Sequence, residues 1–361
     1  MTTLRIGLAA LAAVALGAAS ASAADLVDKM SVGTVELKSA GPLAFGPEGI
    51  LFVGDPQAAC VYAIDTGERP ASPASGPLNV DRVNVKVAGQ FAVPPADLAI
   101  GDLAANPLSG NAYLSVARGK GPGAQALIVR IDRAGTITEV GLKDVRCAKA
   151  ALPNASEKSR RESITNLAYA DGKVFVAGLS NEEFASNLRV IPFPFTGEAS
   201  RGAGVEIYHG AHGKFETRAP VRTMTAYEIN GQAHLLASYT CTPLVKFPVE
   251  QLKPGEKVRG TTVAELGNMN QPLDMVVYQK NGQDYLLLAN SRRGVMKVSL
   301  AGIDKADSIT SPITGGNQAG LKAEAIPSLQ GVMQLAALDK EHALALIKTG
   351  DDLNLRTIDL P

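Results

Sequence analysis

Tyr208-His209-Gly210-Ala211-His212-Gly213 holds two of the four histidines of this 361-residue chain. A His-x-x-His pair binds a metal when the backbone turns both rings to one side. The motif is not HExxH, and its glycines argue against a helix. The plainer reading is therefore a glycine-rich hairpin tip with two exposed rings, and general acid/base or partner contact is a third. Cys60, Cys147 and Cys241 are the only cysteines. In an oxidising compartment, three thiols give one disulfide and one thiol left over, the alternative being three reduced, buried thiols. The pairing is open between Cys60–Cys147 and Cys147–Cys241. A thiolate beside His209 and His212 would instead hold copper or zinc. The chain has no CxxC or CxxCH, which removes covalent c-type haem and the usual structural zinc patterns.

Asp102, Asn166 and Asp274 offer hard oxygen ligands, with Asn270 and Thr223 behind them. Oxygen ligands from separate segments suit Ca²⁺ or another divalent cation. The competing reading is that each satisfies its own turn. Arg218, Arg222, Arg292 and Arg293 would form a cationic rim for a carboxylate or phosphate if brought together. Scattered, they are ordinary solvated arginines. Lys158, Arg160 and Arg161 read as a solvated loop, and His234 and His342 as structural residues of strands. There is no Gly-x-Ser-x-Gly elbow, P-loop or dinucleotide fingerprint.

The elements that must position these residues are strands. Short apolar runs alternate with Gly, Pro, Asn and Asp clusters, and a period of 3.6 is scarce. One phrase, strand–turn–strand–strand, opens at Leu43, Asp102, Thr165, Thr223, Leu273 and Gln334. Three of its turns are Asp171-Gly172, Asn230-Gly231 and Asn281-Gly282, which are strong hairpin signals. Six phrases spaced roughly 50 to 60 residues apart suggest an all-β, six-bladed β-propeller, with seven the alternative count. The last phrase has only three strands, so the segment 32–37 is expected to complete the last blade and close the ring. Loops between second and third strands, and connections between blades, should share one face. Residues 71–75 read as a loop within a blade.

Composition sets the compartment and the partners. Arg5, the apolar run over residues 6–19 and Ala21-Ser22-Ala23 read as a secretory signal peptide over residues 1–23. Residues 24–361 then form a single propeller domain in the periplasm or extracellular space. The leader is too short for a transmembrane helix, which needs about 20 apolar residues. Lys+Arg and Asp+Glu both count 35, without the basic excess of a nucleic-acid binder. Asn154-Ala155-Ser156 fits a glycosylation sequon, relevant only to a eukaryotic secretory route.

The phrase Gly41-Pro42-Leu43-Ala44-Phe45-Gly46-Pro47-Glu48-Gly49-Ile50-Leu51-Phe52-Val53-Gly54-Asp55, ending in Val61-Tyr62-Ala63-Ile64-Asp65, resembles the opening blade of NHL-type and gluconolactonase-like (SMP-30-type) secreted propellers. That resemblance implies a central divalent cation held by a Glu, two Asn and an Asp, with Asn166 and Asp274 in place for two of them. Glu48 does not match the early ligand well. Quinoprotein (PQQ) propellers dock blades through tryptophans, and this chain has none.

The leading expectation is a non-catalytic scaffold that binds a small ligand or a periplasmic protein through its loop-rich face. The first alternative is a metal-dependent lactonase or esterase whose axial cation polarises a carbonyl. The second is a copper or zinc accessory protein using His209, His212 and a thiolate.

Overall fold

The computed structural model describes residues 24–69 and 76–361. The signal peptide and the loop 71–75 lie outside the described residues. The described chain builds six sheets arranged as the blades of a propeller, antiparallel apart from one parallel pairing of Lys257–Arg259 with Ala203–His209. The inner strands, in chain order, are Leu43–Phe45, Leu98–Ala105, Asn166–Ala170, Val221–Ile229, Pro272–Lys280 and Val332–Ala337, here the first to sixth blades. Each sequence phrase falls on its own blade. The three Asx-Gly pairs adopt left-handed backbone at both positions, as at Asn230 (φ 51°) and Gly231 (φ 76°). This is the turn whose twist matches that of the flanking strands.

The blades do not follow one another in chain order. Inner-strand neighbours give the ring order second, first, third, fourth, fifth, sixth and back to second. Six hydrophobic clusters, one between each adjoining pair of blades, hold the ring together. Phe52 of the first blade packs with Val174 and Val176 of the third. Leu51 packs with Tyr113 and Ile128 of the second. Leu114 and Val129 of the second pack with Leu344 and Leu346 of the sixth. The third and fourth, fourth and fifth, and fifth and sixth blades share the other three clusters. Side chains of the central strands are buried on both faces because each sheet lies between two others.

Closure differs from the sequence expectation. Ser31–Gly33 does not join the last blade; it pairs with Val145–Ala151. That strand, expected as a blade connection, is the fourth strand of the first blade, paired to Cys60–Asp65. The chain thus leaves the first blade, builds the second, and returns to finish the first. The last blade is completed by residues 78–84. Val80 bridges Leu355, the Leu78 N–H donates to Thr357 Oγ1 (2.8 Å), and the Thr357 N–H donates to Asn79 Oδ1 (3.0 Å). Leu78 and Val80, with Val83 and Val87 of the helix Val83–Gln90, are buried in the cluster between second and sixth blades. The N-terminal strand is too far round the ring to serve, whereas residues 78–84 lie just before the blade that adjoins the last one.

The cysteine expectation is corrected too. Cys60, Cys147 and Cys241 are free thiols. Cys60 faces Ala151 in the register and Cys147 faces Ile64. Four residues of strand separate the two thiols, roughly 13 Å, beyond disulfide reach. Cys241 lies on the fourth blade. Burial pushes the Cys60 thiol up to about 11.

Candidate functional site

The inner strands begin at one face of the ring. Four of them carry a β-bulge at the same place, between Ile100 and Asp102, Val221 and Thr223, Pro272 and Asp274, and Val332 and Gln334. Each bulge re-aims the next side chain, and all four of those residues are polar. Asn166 holds the matching position in the third blade and Pro42 in the first. The axial ring therefore reads Asp102, Pro42, Asn166, Thr223, Asp274, Gln334.

Three members tie blades together in the same rotational sense. Asp102 Oδ2 accepts the Leu43 N–H (2.7 Å), Asn166 Oδ1 the Met224 N–H (3.1 Å), and Asp274 Oδ2 the Leu335 N–H (2.7 Å). The remaining carboxylate oxygens accept Leu103 N–H and Met275 N–H, and Thr223 Oγ1 reaches Asp274 Oδ1 at 3.5 Å. With its nitrogen turned to the carboxylates, the Gln334 amide donates to Asp102 Oδ1 (2.9 Å) and Asp274 Oδ2 (3.0 Å). Burial pushes the Asp102 carboxyl up to about 7. Burial and the nearby Asp102 charge push Asp274 well above its ordinary value. Asn270 is not a ring member: its carbonyl accepts the Cys241 N–H (2.6 Å), and its side chain accepts the Arg292 N–H.

Above this ring opens a cavity of about 1220 Å³. Its floor holds Asp102, Asn166 and Gln334, and its wall Lys38, Gln57, Arg161, Glu162, Arg222 and Gln271. None of its described lining residues is aromatic. Arg222 donates to Glu162 (2.9 Å) and to Thr240 Oγ1 (3.3 Å). Among the described residues, no carboxylate lies within ion-pair distance of Lys38 or Arg161. The funnel is therefore cationic: its wall carboxylate, Glu162, is matched by Arg222, and burial draws Asp102 toward neutrality.

The expected arginine rim is assembled differently. Arg218 and the Arg292 side chain are exposed and do not line the funnel. Arg293 lies across Gly267 and donates to the carbonyls of Asn268 and Gly316. Of the four expected arginines only Arg222 reaches the cavity. Arg161, read from sequence as part of a solvated run, is exposed as expected and stands on the cavity wall. Its neighbours give no local sign of this; the ring order puts it there.

The histidines and one cysteine do come together. His209 ends the fourth strand, Ala203–His209, of the third blade, and Cys241 lies in the turn between Tyr239 and Pro243 of the fourth. One nitrogen from each of His209 and His212 and the Cys241 Sγ lie within 4.8 Å of one another. Glu216 engages both rings at Nδ1, at 2.8 Å each. Burial raises the Glu216 carboxyl, but these two imidazole bonds outweigh it and leave it below the ordinary value. Burial lowers His209, which favours the neutral ring. Glu265 pins the loop by accepting the Gly210 N–H (2.6 Å), and its own carboxyl is pushed by burial up to about 7. A side chain at position 210 would meet Glu265 Oε1 at 2.8 Å. His234 and His342 remain strand residues, as expected.

No protein-family model matches the chain, and no curated protein matches it. Solved structures do. The PQQ-bound aldose sugar dehydrogenase of Streptomyces coelicolor is 14% identical over 91% of this chain and 96% of that one, with a TM-score of 0.36. Virginiamycin B lyase of Staphylococcus aureus is 8% identical over 92% and 99%, with a TM-score of 0.35. Hydrazine synthase of Kuenenia stuttgartiensis is 12% identical over 91% and 97%, with a TM-score of 0.34. These neighbours do not single out the NHL or gluconolactonase-like type, and such likeness carries no argument about the site. No helix among the described residues is long and apolar enough to cross a membrane.

Proposed function

We propose that this chain is an exported propeller that binds a small anionic molecule, a carboxylate or phosphate, in its axial funnel. The observation that carries this reading is the charge of the cavity wall. Lys38 and Arg161 line a 1220 Å³ space with no acidic partner among the described residues. A ligand anion supplies the missing partner, and charge-assisted bonds of this kind are the strong ones. Gln57, Gln271 and Gln334 offer neutral amide contacts beside them. The absence of aromatic rings from the described lining argues against stacking ligands and for a compact polar one.

The geometry supports binding over the axial-cation hydrolase of the gluconolactonase-like kind. The oxygens of Asp102 and Asp274 already accept backbone N–H groups, and the Gln334 amide joins them. A cation there would have to displace those donors, which tie the blades. The ring is therefore read as the floor of the site and not as its reagent.

The test is calorimetric titration of the tag-free mature chain with short mono- and dicarboxylates and with inorganic phosphate at low salt. A 1:1 isotherm is expected for at least one anion. Lys38→Gln together with Arg161→Gln should weaken it at least about tenfold, and added salt should weaken it further. Binding indifferent to the double substitution would sink the proposal.

A further inference from the structure

We infer that His209, His212 and Cys241 form a binding site for one copper or zinc ion at the edge of the funnel. This inference stands independently of the anion reading. It rests on donor geometry and on one atom with nothing to bond. His209 is buried, with its side chain 2% exposed, yet its Nε2 has no hydrogen-bond partner. A buried polar atom left this way costs stability unless something satisfies it.

The tautomer is arranged for a metal. Glu216 accepts at the Nδ1 position of both rings. With the ring protons held at Nδ1, the lone pairs sit on Nε2 of His209 and His212. A carboxylate behind a ligating imidazole is the usual way of fixing ring orientation and raising ligand basicity. One nitrogen of each ring and the Cys241 Sγ already lie within 4.8 Å of one another. Ligands of one zinc or copper ion stand roughly 3.3–3.8 Å apart at ordinary bond lengths, so a small contraction completes the site. Two imidazoles and a thiolate select copper or zinc over calcium or magnesium.

The backbone holds the thiol in place at a cost. Cys241 (φ 65°) and Thr242 (φ 59°) are both left-handed, a pair of positions that Asp or Asn and then Gly fill at 171–172, 230–231 and 281–282. The Cys241 N–H is anchored on the Asn270 carbonyl at 2.6 Å. On the opposite side, Glu265 fixes the loop from His209 to His212 through Gly210. Three protein donors leave a coordination position open, and the side chain of His212 is 44% exposed. The site also adjoins the cavity: Thr240, next to Cys241, accepts from Arg222, and Asn270 precedes Gln271, both Arg222 and Gln271 being part of the funnel wall.

The experiment uses tag-free mature protein stripped with chelator and titrated separately with zinc chloride and with copper sulfate. One equivalent should remain after gel filtration, measured by elemental analysis. That equivalent should protect Cys241 from maleimide, read by peptide mapping, and leave Cys147 labelling unchanged. The copper form should show a thiolate-to-copper absorption, and cobalt substitution should report the same thiolate for the zinc case. His212→Gln and Cys241→Ser, both at accessible positions, should each weaken binding at least about tenfold, and Glu216→Gln by roughly 10–100-fold. Retention of the ion by folded His212→Gln and Cys241→Ser proteins at unchanged affinity would overturn the assignment. So would failure of both metals to bind at one equivalent.

Discussion

Asp102→Asn should make the protein less sensitive to alkali. In the folded chain burial pushes the Asp102 carboxyl from 3.8 up to about 7. Between those values the native state holds a proton that the unfolded chain has lost. Stability from this group is therefore fully present below pH 3.8 and falls as pH rises through 7, the sign required when the unfolded state binds fewer protons. Over the window from pH 5 to pH 8 the loss works out at about 2–3 kcal/mol. The amide of the variant does not titrate and has no such dependence. Its oxygen still accepts the Leu43 N–H; its nitrogen meets the Leu103 N–H and a Gln334 free to turn its own oxygen inward, a cost that is the same at both pH values and leaves the slope to the titration. Urea unfolding of wild type and variant at pH 5 and pH 8 measures the difference. The variant should lose about 2–3 kcal/mol less than wild type across that interval, on the order of 5 °C in Tm. Equal pH slopes for the two proteins would refute the argument that the axial carboxyl is held toward neutrality.

Other perturbations test separate parts of the account. Leu78→Ala removes a side chain that is 1% exposed from the closure between second and sixth blades; it should cost about 2–5 kcal/mol, and a cost under about 1 kcal/mol in denaturant melts would contradict the closure described. Cys241→Gly relieves a left-handed position that only glycine adopts freely; the metal-free chain should gain about 1 kcal/mol, read as a raised urea midpoint, while one-equivalent zinc or copper binding disappears. Asp274→Asn should reduce alkaline sensitivity in the same direction as Asp102→Asn, because burial and the Asp102 charge push Asp274 up as well. The double variant should fall short of additivity, since the two carboxyls share the Gln334 amide.

Local chemistry made the blades legible. Asp171-Gly172, Asn230-Gly231 and Asn281-Gly282 must turn the chain tightly, and the apolar runs on either side can only be strands. The ring order was not legible, because it depends on where a completed blade finds a partner. Val145–Ala151, read as a connection, is rich in alanine and carries two basic residues; its strand character comes from the edge of the first blade, which lies roughly 80 residues back in the chain. The segment 32–37 alternates like a strand, and Val32 does pair, but with Arg146 and not with the last blade.

The site followed the same division. The polar residues opening the inner strands stood out as Asp102, Asn166 and Asp274, and they do converge. Gln334 was passed over because a lone glutamine in an apolar phrase carries no signal until the sixth blade is placed beside the second. His209, His212 and Cys241 were named from donor type alone. Their meeting requires that a fourth-strand end and a second-to-third turn share a face, which the propeller geometry supplies. The Cys241-Thr242 turn had no Asx-Gly signature, so its backbone was invisible in the sequence.

The most direct test of the central claim is a crystal structure of the mature chain soaked with the tightest-binding carboxylate found by calorimetry. The account predicts density inside the axial funnel, with an anionic oxygen within hydrogen-bond distance of Arg161 or Lys38. Density for that ligand outside the funnel, with the funnel holding only solvent, would contradict it.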